Sequence, residues 1–295
     1  MSGLPSAVVG STRSRPGIST KLYSKLLSTG LRLREGGLNP RSVRYLHVTI
    51  QKALGDAVRK GELARNVARA ASPPSPKSTR SPEMAWWTPQ QLRAFLDFIA
   101  DEQPLASLVR VAGMTGMRRG EVCGLRWRDL DLDRGSIQVR QQLTLLRGTL
   151  LFSGRTKTDH GRRTVDLDAT TVAALRMQRR LQMEHRLATG SGWSNERDLV
   201  FTLPDGRPLN PESIARVFDR RVARSGLPRI RFHDLRHSHV AHLIAAGEQP
   251  LLIARRLGHA SSSFTMDRYG HLFEGAGSSA AAAVAAMVDA SVTNP

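Results

Sequence analysis

The sequence is poor in cysteine, and its 295 residues include only one, Cys123. A single thiol cannot form a disulfide within the chain, and it cannot supply a cysteine-rich zinc site. Apolar runs of about 18 residues, the length that marks a membrane span, are missing, and residues 1–17 lack the apolar core of a secretory signal. We therefore expect a cytoplasmic protein with no membrane partner.

Sequence patterns for nucleotide and metal chemistry are missing as well. The chain has no glycine-rich phosphate loop, no Walker-type lysine and no paired acidic residues at metal-ligand spacing. His233 and His237 are four residues apart, as two metal ligands on one helix face would be, but no third ligand accompanies them at a matching spacing. The prediction is a protein that uses neither a metal nor a cofactor.

Acidic residues are few relative to basic ones. The chain contains 25 Asp and Glu against 44 Lys and Arg, which gives a formal net charge of +19. Fifteen of the basic residues, but only three of the acidic ones, fall within residues 1–80. An excess of this size predicts a polyanionic partner. For residues 1–18 a basic disordered tail is the alternative interpretation.

Proline divides the chain into two parts. Four prolines within Ser72–Pro82 cannot continue a helix, so they predict an extended linker over residues 73–84. Ahead of it, Asn39 caps and Pro40 opens a helix that runs to about Lys60, and a weaker helix is expected over Thr20–Arg34. Residues 1–72 are thus predicted to form a basic, partial helical domain with a disordered N-terminus.

Beyond the linker, residues 85–295 are predicted to be mainly α with a small antiparallel β-sheet, an α+β fold. Helical periodicity begins at a capping box formed by Thr88 and Gln91 and ends in an alanine-rich tail helix over Ala280–Ala290. Between them, four short strands are expected at Ser136–Leu145, Thr149–Thr156, Arg162–Leu167 and Val200–Phe201.

Five side chains of this domain are suited to the chemistry of a phosphodiester. Arginine presents a fixed fork of donors that matches phosphate oxygens, tyrosine serves as a covalent nucleophile, and histidine moves a proton near neutral pH. The five are Arg118, His233, Arg236, His259 and Tyr269. Singly, each has a plainer interpretation; Arg118, for example, would ordinarily be a surface residue paired with Glu121 on one helix.

The order and context of these residues resemble the tyrosine recombinases, the phage integrase family. Members carry a Thr-Gly-x-Arg-x-x-Glu box, a lysine on a β-hairpin, a His-x-x-Arg motif, a Leu-Gly-His motif and then a tyrosine. This sequence matches, in that order, at Arg118, Glu121, Lys157, His233, Arg236, His259 and Tyr269. The resemblance runs from about Gly37 to about Ala290 and is strongest to integrases of actinobacterial phages and mobile elements.

The resemblance implies metal-free cleavage and rejoining of DNA through a 3′-phosphotyrosyl intermediate. Tyr269 would be the nucleophile, Arg118 and Arg236 would hold the phosphate, and His259 would hydrogen-bond it.

Four further residues receive supporting roles from the same resemblance. His233 would assist the loss of the tyrosine proton, and Lys157 would protonate the leaving 5′ oxygen. Glu121 would orient Arg118, and His271 would pack near the nucleophile. On residue type alone, a lysine at a hairpin tip is ordinarily just solvated.

The resemblance also implies double-stranded DNA as the partner, a homotetramer on two duplexes, a directionality factor, and a bacterial, nucleoid-associated location. Residues 1–72 resemble a shortened core-binding domain, in which Arg41, Arg44 and Lys52 lie off the apolar stripe and are expected to contact DNA. Two alternatives stay open: a truncated, non-recombining DNA-binding integrase remnant, and a topoisomerase-like nicking enzyme that acts on one duplex.

Overall fold

A computed structural model of the chain describes residues 17–29, 37–75, 84–154, 162–259 and 261–273. Only the backbone is described for residues 17–20 and for Phe264, His271 and Phe273. Lys157 and the predicted tail helix lie outside the described residues. The chain divides into two compact units, residues 1–83 and 84–295, and the division falls inside the segment predicted to be a linker.

The described residues of the first unit form two helices, α1 (Gly17–Thr29) and α2 (Pro40–Arg59), and a 3-10 turn at Val67–Ala70. The Asn39 side chain accepts a hydrogen bond from the Arg41 backbone N–H at 2.9 Å, so α2 begins where the sequence predicts. The first helix is described as far as Thr29, and residues 30–34 of the expected helix lie outside the described residues. A small core joins the elements and consists of Tyr23, Leu26, Val43 and Ala71.

The second unit is built mainly of helices. In chain order they are α3 (Pro89–Phe98), α4 (Leu105–Thr115), α5 (Arg119–Cys123), α6 (Ala169–Thr189), α7 (Pro211–Arg224), α8 (Asp234–Ala245), α9 (Pro250–Leu257) and α10 (Ser262–Tyr269). The predicted capping box is present, since Thr88 and Gln91 exchange hydrogen bonds of 2.9 and 3.2 Å at the start of α3.

Five short strands form two antiparallel sheets within the described residues. They are β1 (Leu130–Asp131), β2 (Ser136–Val139), β3 (Gln142–Leu146), β4 (Thr149–Ser153) and β5 (Arg163–Asp166). The order β1-β2-β5 makes a three-stranded sheet, and β3 pairs with β4 as a hairpin. The mainly α fold with small antiparallel β-structure is therefore confirmed, and its strands are divided between two sheets where one was expected.

Two strand predictions need correction. The single strand expected over Ser136–Leu145 is two strands in different sheets, because the chain leaves the first sheet at Arg140–Gln141. The Gln141 side chain fixes this break by donating to the Gly124 carbonyl at 2.7 Å. Val200–Phe201 is not a strand; both residues are completely buried and are flanked only by isolated bridges.

The core of the second unit centres on α4 and on a group of aromatic rings. Nine of the eleven residues of α4 are buried. The rings of Trp87, Phe95 and Phe218 lie with centroids 4.8 to 5.9 Å apart, and Phe232 meets Phe218 edge-on at 5.4 Å. The start of α8 packs against this core. No helix in the described part of the chain is long and apolar enough to cross a membrane.

Candidate active site

The first two turns of α8 bury a run of polar side chains: Asp234, Arg236, His237, Ser238 and His239. Interior polar groups are tolerated when hydrogen bonds replace the lost water. Ser238 accepts from the Trp87 backbone N–H at 2.9 Å and donates to the Asp234 carbonyl at 3.1 Å. This polar run is therefore held in place by the surrounding fold.

Arg236 is anchored by main-chain oxygens and is only 4% exposed. Its Nη1 donates to the Gly116 carbonyl at 2.6 Å, and its Nη2 donates to the Leu257 carbonyl at 2.7 Å. Burial, followed by the positive charge of Arg118, lowers the pKa of Arg236 to about 9. At neutral pH the guanidinium is thus charged, and its carbonyl partners do not neutralise it, so it is prepared for an anionic ligand.

Gly116 presents one of these carbonyls at a tight turn. It ends α4 in the left-handed conformation, with φ of 65°. A Cβ at this position would lie 2.7 Å from Cδ2 of His239 and 2.8 Å from Cδ2 of Leu257. Both the backbone conformation and the close packing therefore require glycine next to the arginine box.

Glu121 gathers two arginines from different elements. It is 1% exposed and accepts from the Arg118 backbone N–H at 2.8 Å and from Arg118 Nη1 at 2.9 Å. Burial alone would raise the pKa of Glu121, but hydrogen bonds and charge from Arg163, with further contributions from Arg118, lower it to about 2. Glu121 thus contacts Arg118, and its role in orienting that arginine stays a prediction.

Arg163 is a buried arginine that the sequence interpretation missed. It donates from Nη2 and Nη1 to Glu121 at 2.8 and 3.2 Å and from Nε to the Arg256 carbonyl at 2.7 Å. Strand periodicity was the available signal: Arg163 is two residues before buried Val165, so both project to the same face of β5. Arg163 ties that strand to Glu121 and α9.

His259 follows α9 and contacts the bound guanidinium. Its Nε2 lies 3.0 Å from Arg236 Nη2, and its Nδ1 lies 2.9 Å from Thr265 Oγ1 in α10. Burial and the nearby charges of Arg236 and Arg118 lower the pKa of His259 to about 4. A neutral imidazole here accepts from Arg236 through Nε2 when its proton is on Nδ1.

Tyr269 ends α10 and is buried, with 2% of its surface exposed. It packs with Val240, Ile253 and Leu257. Its hydroxyl lies 2.5 Å from Nδ1 of His237. Burial raises the pKa of Tyr269, so the phenol is protonated in the free protein.

His233 is expected to assist the loss of the Tyr269 proton, but it is not the histidine that contacts the Tyr269 hydroxyl. The hydroxyl of Tyr269 is hydrogen-bonded to His237, whereas His233 stands edge-on to His237 with ring centroids 5.4 Å apart. His233 is exposed and, with Arg118, lines a cleft of about 560 Å³. Sequence spacing suggested His237 only as half of a metal pair, and its tyrosine partner is 32 positions away.

The remaining predicted residues are distributed as follows. Lys157 lies outside the described residues, and nothing is described of the His271 side chain. In the first unit Arg41 and Lys52 are exposed, while Arg44 donates from Nη1 to the Pro74 carbonyl at 2.9 Å. Among the described residues, no three His, Cys, Asp or Glu side chains are grouped so as to hold a metal ion.

Comparison with known proteins gives a consistent set of similarities. A family model described as the phage integrase family matches residues 85–275. The ICEBs1 integrase of Bacillus subtilis (strain 168) is 32% identical over 246 residues, which are 82% of this chain and 64% of that protein. An integrase of Streptomyces ambofaciens is 30% identical over 79% of this chain and 60% of its own length. The chain therefore spans somewhat less than two thirds of these relatives.

Solved structures share the fold. The Tn1549 transposon integrase in complex with circular intermediate DNA superposes with a TM-score of 0.66 at 19% identity, covering 90% of this chain and 83% of that one. A lambda integrase dimer bound to a COC′ core site gives a TM-score of 0.52 at 17% identity, over 76% and 74% of the two chains.

Proposed function

Because the chain belongs to the phage integrase family, we propose that it is a site-specific tyrosine recombinase, a DNA strand transferase that works through a 3′-phosphotyrosyl intermediate. In this reaction the Tyr269 oxygen attacks the scissile phosphorus, and a phosphorus–oxygen bond to tyrosine replaces the bond to the 5′ oxygen. A 5′ hydroxyl from a partner duplex then reverses the step. The free energy of the broken bond is conserved in the tyrosyl ester.

The buried guanidinium of Arg236 is the observation that carries the proposal. It is held by two neutral carbonyls and beside His259, so its charge remains available. Arg118 is 39% exposed and keeps solvent access although Glu121 holds one of its nitrogens. One fixed and one accessible arginine would stabilise the extra negative charge of a pentacoordinate phosphate, which is usually the largest catalytic contribution.

Lys157 is proposed to give its proton to the leaving 5′ oxygen, as the family resemblance implies. Its segment follows β4 and precedes β5, and β5 is tied to Glu121 through Arg163. The strand that follows Lys157 in the chain is therefore tied, through Arg163 and Glu121, to Arg118, one of the two arginines proposed to bind the phosphate.

Double-stranded DNA is the proposed partner. The net charge of +19 supports a polyanionic ligand, and the Tn1549 and lambda integrases that share the fold were solved bound to DNA. Arg41 and Lys52 of α2 are proposed phosphate contacts. The same proposal includes a homotetramer that binds two duplexes and a directionality factor as a further partner. It places the protein in the cytoplasm, associated with the nucleoid.

Covalent trapping tests this function. The full chain is incubated with nicked duplexes that tile the DNA flanking its coding sequence, so that a cleaved strand end diffuses away and the adduct accumulates. We expect a denaturant-stable protein–DNA adduct with the wild type and none with Tyr269→Phe. Arg236→Lys should lower the rate of adduct formation by about 10²-fold or more, since lysine cannot reproduce the fork of donors.

The same assay addresses the alternative of a non-recombining remnant. Both arginines, both histidines and the tyrosine are present in the chain. Arg236 contacts His259, and Arg118 and His233 line the same cleft, which supports the catalytic interpretation. DNA binding without any adduct on the whole set of duplexes would favour the remnant. Equal adduct from Tyr269→Phe would remove Tyr269 as the nucleophile.

A further inference from the structure

The Tyr269 hydroxyl and the His237 imidazole form a buried hydrogen-bonded pair inside the second unit, and the Arg268 side chain also hydrogen-bonds Tyr269. The oxygen lies 2.5 Å from Nδ1, and the two residues are 2% and 3% exposed. The side chains of Val240, Ile253 and Leu257 pack around the tyrosine. No solvent molecule is needed to complete this contact, so a proton that leaves the phenol has an acceptor directly in reach.

On the basis of the proposed strand transfer, we infer that His237 is a further catalytic residue, which receives the Tyr269 proton through Nδ1 as the phenolic oxygen attacks phosphorus. This assigns to His237 the step that sequence resemblance gives to His233. It also assigns Asp234 a supporting role, as the carboxylate that stabilises the imidazolium formed in that step.

The second nitrogen of His237 supports the assignment. Nε2 is buried and has no hydrogen-bond partner among the described residues, an unusual state for an interior polar atom. It lies 3.9 Å from Oδ1 of Asp234, which is itself 3% exposed. When Nδ1 accepts from the phenol, Nε2 carries the proton and faces this carboxylate. A movement of about 1 Å would bring the two into a charge-assisted hydrogen bond of about 2.8 Å.

The Asp234 carboxylate is held in position by Arg231, which precedes α8. Its carboxylate accepts from the Arg231 backbone N–H at 2.7 Å and from Nε and Nη2 of the same arginine at 3.0 and 2.8 Å. Burial acts to raise the pKa of Asp234, but these hydrogen bonds outweigh it and lower the pKa. The carboxylate is therefore ionised and fixed in position.

The charged and titratable groups around His237 determine its pKa and therefore whether it can accept the Tyr269 proton. They come from the residues just before α8, from its first turn and from α10, and they are Arg231, His233, Asp234, Arg268 and Tyr269. Burial, followed by His233, lowers the pKa of His237 to about 4. Histidine and tyrosine are thus both neutral in the free protein, and transfer becomes favourable only as the oxygen binds phosphorus and loses its basicity.

The step balances without an added reactant. The Tyr269 O–H bond breaks and an N–H bond forms at His237 Nδ1, while the tyrosine oxygen bonds to phosphorus. The bond from phosphorus to the 5′ oxygen breaks, and that oxygen takes its proton from the proposed acid, Lys157. In the reverse step the imidazolium returns its proton to Tyr269.

A pH profile with a sulfur leaving group isolates this proton transfer. A 5′-bridging phosphorothiolate departs without an acid, so Lys157 drops out of the measurement. His237→Asn keeps an acceptor near the Nδ1 position but cannot take up a proton. We expect its single-turnover rate to fall by about 10² to 10⁴-fold, with DNA affinity within about twofold of wild type.

The slope of the logarithm of the rate against pH shows whether His237 acts as a base or only packs against Tyr269. Wild type should be flat from pH 6 to 8, because His237 stays neutral throughout that range. His237→Asn should rise about tenfold per pH unit, because only the tyrosinate then attacks. His233→Asn should be slower than wild type but equally flat, and His185→Asn on α6 should match wild type in rate and slope. An unchanged rate or a flat profile for His237→Asn, or a rising profile for His233→Asn instead, would overturn the inference.

The outcomes separate this inference from the proposed function. A wild-type protein that binds DNA but never forms an adduct would overturn both. A wild-type adduct with a flat His237→Asn profile would overturn the inference alone. Tyrosine labelled with ¹³C at Cζ adds a readout in the free protein, since the chain has only three tyrosines. His237→Ala should shift one signal, the one lost in Tyr269→Phe; an unmoved signal would contradict the hydrogen bond itself.

Discussion

Glu121 and Arg163 form a buried ion pair with two parallel hydrogen bonds of 2.8 and 3.2 Å. Their side chains are 1% and 5% exposed, so neither charge is compensated by water. The pair comes from two distant parts of the chain, α5 and β5. It fixes the carboxylate that also holds Arg118.

Arg163→Met should destabilise the protein by about 3–5 kcal/mol, because it leaves the Glu121 carboxylate buried with one arginine fewer. Arg140→Met is the matched control: Arg140 is 57% exposed and lies 3.8 Å from Asp129, so its loss should cost at most about 1 kcal/mol. Urea denaturation measures both. Equal midpoints for the two variants would show that the buried pair contributes no more than a surface one.

Glu121 should also make the free energy of unfolding depend on pH in the acidic range. Its pKa falls from 4.5 to about 2 in the folded chain, so its contribution is present above pH 4.5 and is lost as pH falls toward 2. The contribution is about 3 kcal/mol, at about 1.4 kcal/mol per pH unit between the two pKa values. The stability gap between wild type and Glu121→Gln should therefore narrow over that window. Curves that stay parallel from pH 7 to 2.5 would contradict this.

Gly116→Ala should be more damaging than alanine at another left-handed glycine. Gly226 has φ of 73° and nothing within 4 Å of an added Cβ, so its replacement by alanine should cost about 1–2 kcal/mol. Gly116→Ala adds the clash with His239 and Leu257, for about 1–3 kcal/mol more. Thermal unfolding of both variants gives the difference, and a cost for Gly116→Ala no larger than for Gly226→Ala would rule out the clash.

Lys157→Ala should slow adduct formation strongly while leaving DNA affinity nearly unchanged, since one lysine is one phosphate contact among many. With a 5′-bridging phosphorothiolate the rate should return close to that of wild type, because the thiolate leaves without a proton. Lys157→Ala that stays slow on the sulfur substrate would exclude this lysine as the acid.

Lys52→Ala should lower the magnitude of the slope of log K against log salt by about 0.9, the value for one released counterion. Lys52→Arg keeps the charge and should keep the slope. Arg44 is a less suitable test, because its Nη1 already binds the Pro74 carbonyl and its loss would disturb the first unit. Binding titrations from about 50 to 200 mM salt measure the slopes, and an unchanged slope for Lys52→Ala would place α2 away from DNA.

Local interactions explain which elements the sequence could predict. Asn39 and the Thr88–Gln91 capping box act on residues two or three positions away, so the helix starts follow from short sequence patterns. The break between β2 and β3 depends instead on Gln141 reaching Gly124, 17 positions earlier. The alternation of apolar and polar residues continues through this break, so the sequence pattern predicts a single strand.

The candidate site divides along the same line. Arg236, His259 and Tyr269 could be picked out because each sits in a short motif, and the structure brings the first two into contact. Arg163 and His237 belong to none of these motifs, and their partners Glu121 and Tyr269 are 42 and 32 positions away, so only the weaker signal of strand periodicity pointed to Arg163 and none linked His237 to Tyr269. In the sequence alone, Arg163 in its strand and His237 after the His-x-x-Arg motif look like ordinary polar residues. Their contacts are visible only in the folded chain.

The acceptors that hold Arg236 are main-chain atoms of Gly116 and Leu257. A substitution can delete a carboxylate partner in one step, but no substitution removes a peptide carbonyl. The anchor of this arginine is therefore insensitive to the chemical identity of residues 116 and 257 and sensitive only to their shape. Substitutions at residues 116 and 257 are limited by side-chain size and backbone angle. Within those limits the Arg236 guanidinium keeps its position, whereas an arginine held by a carboxylate would lose its partner.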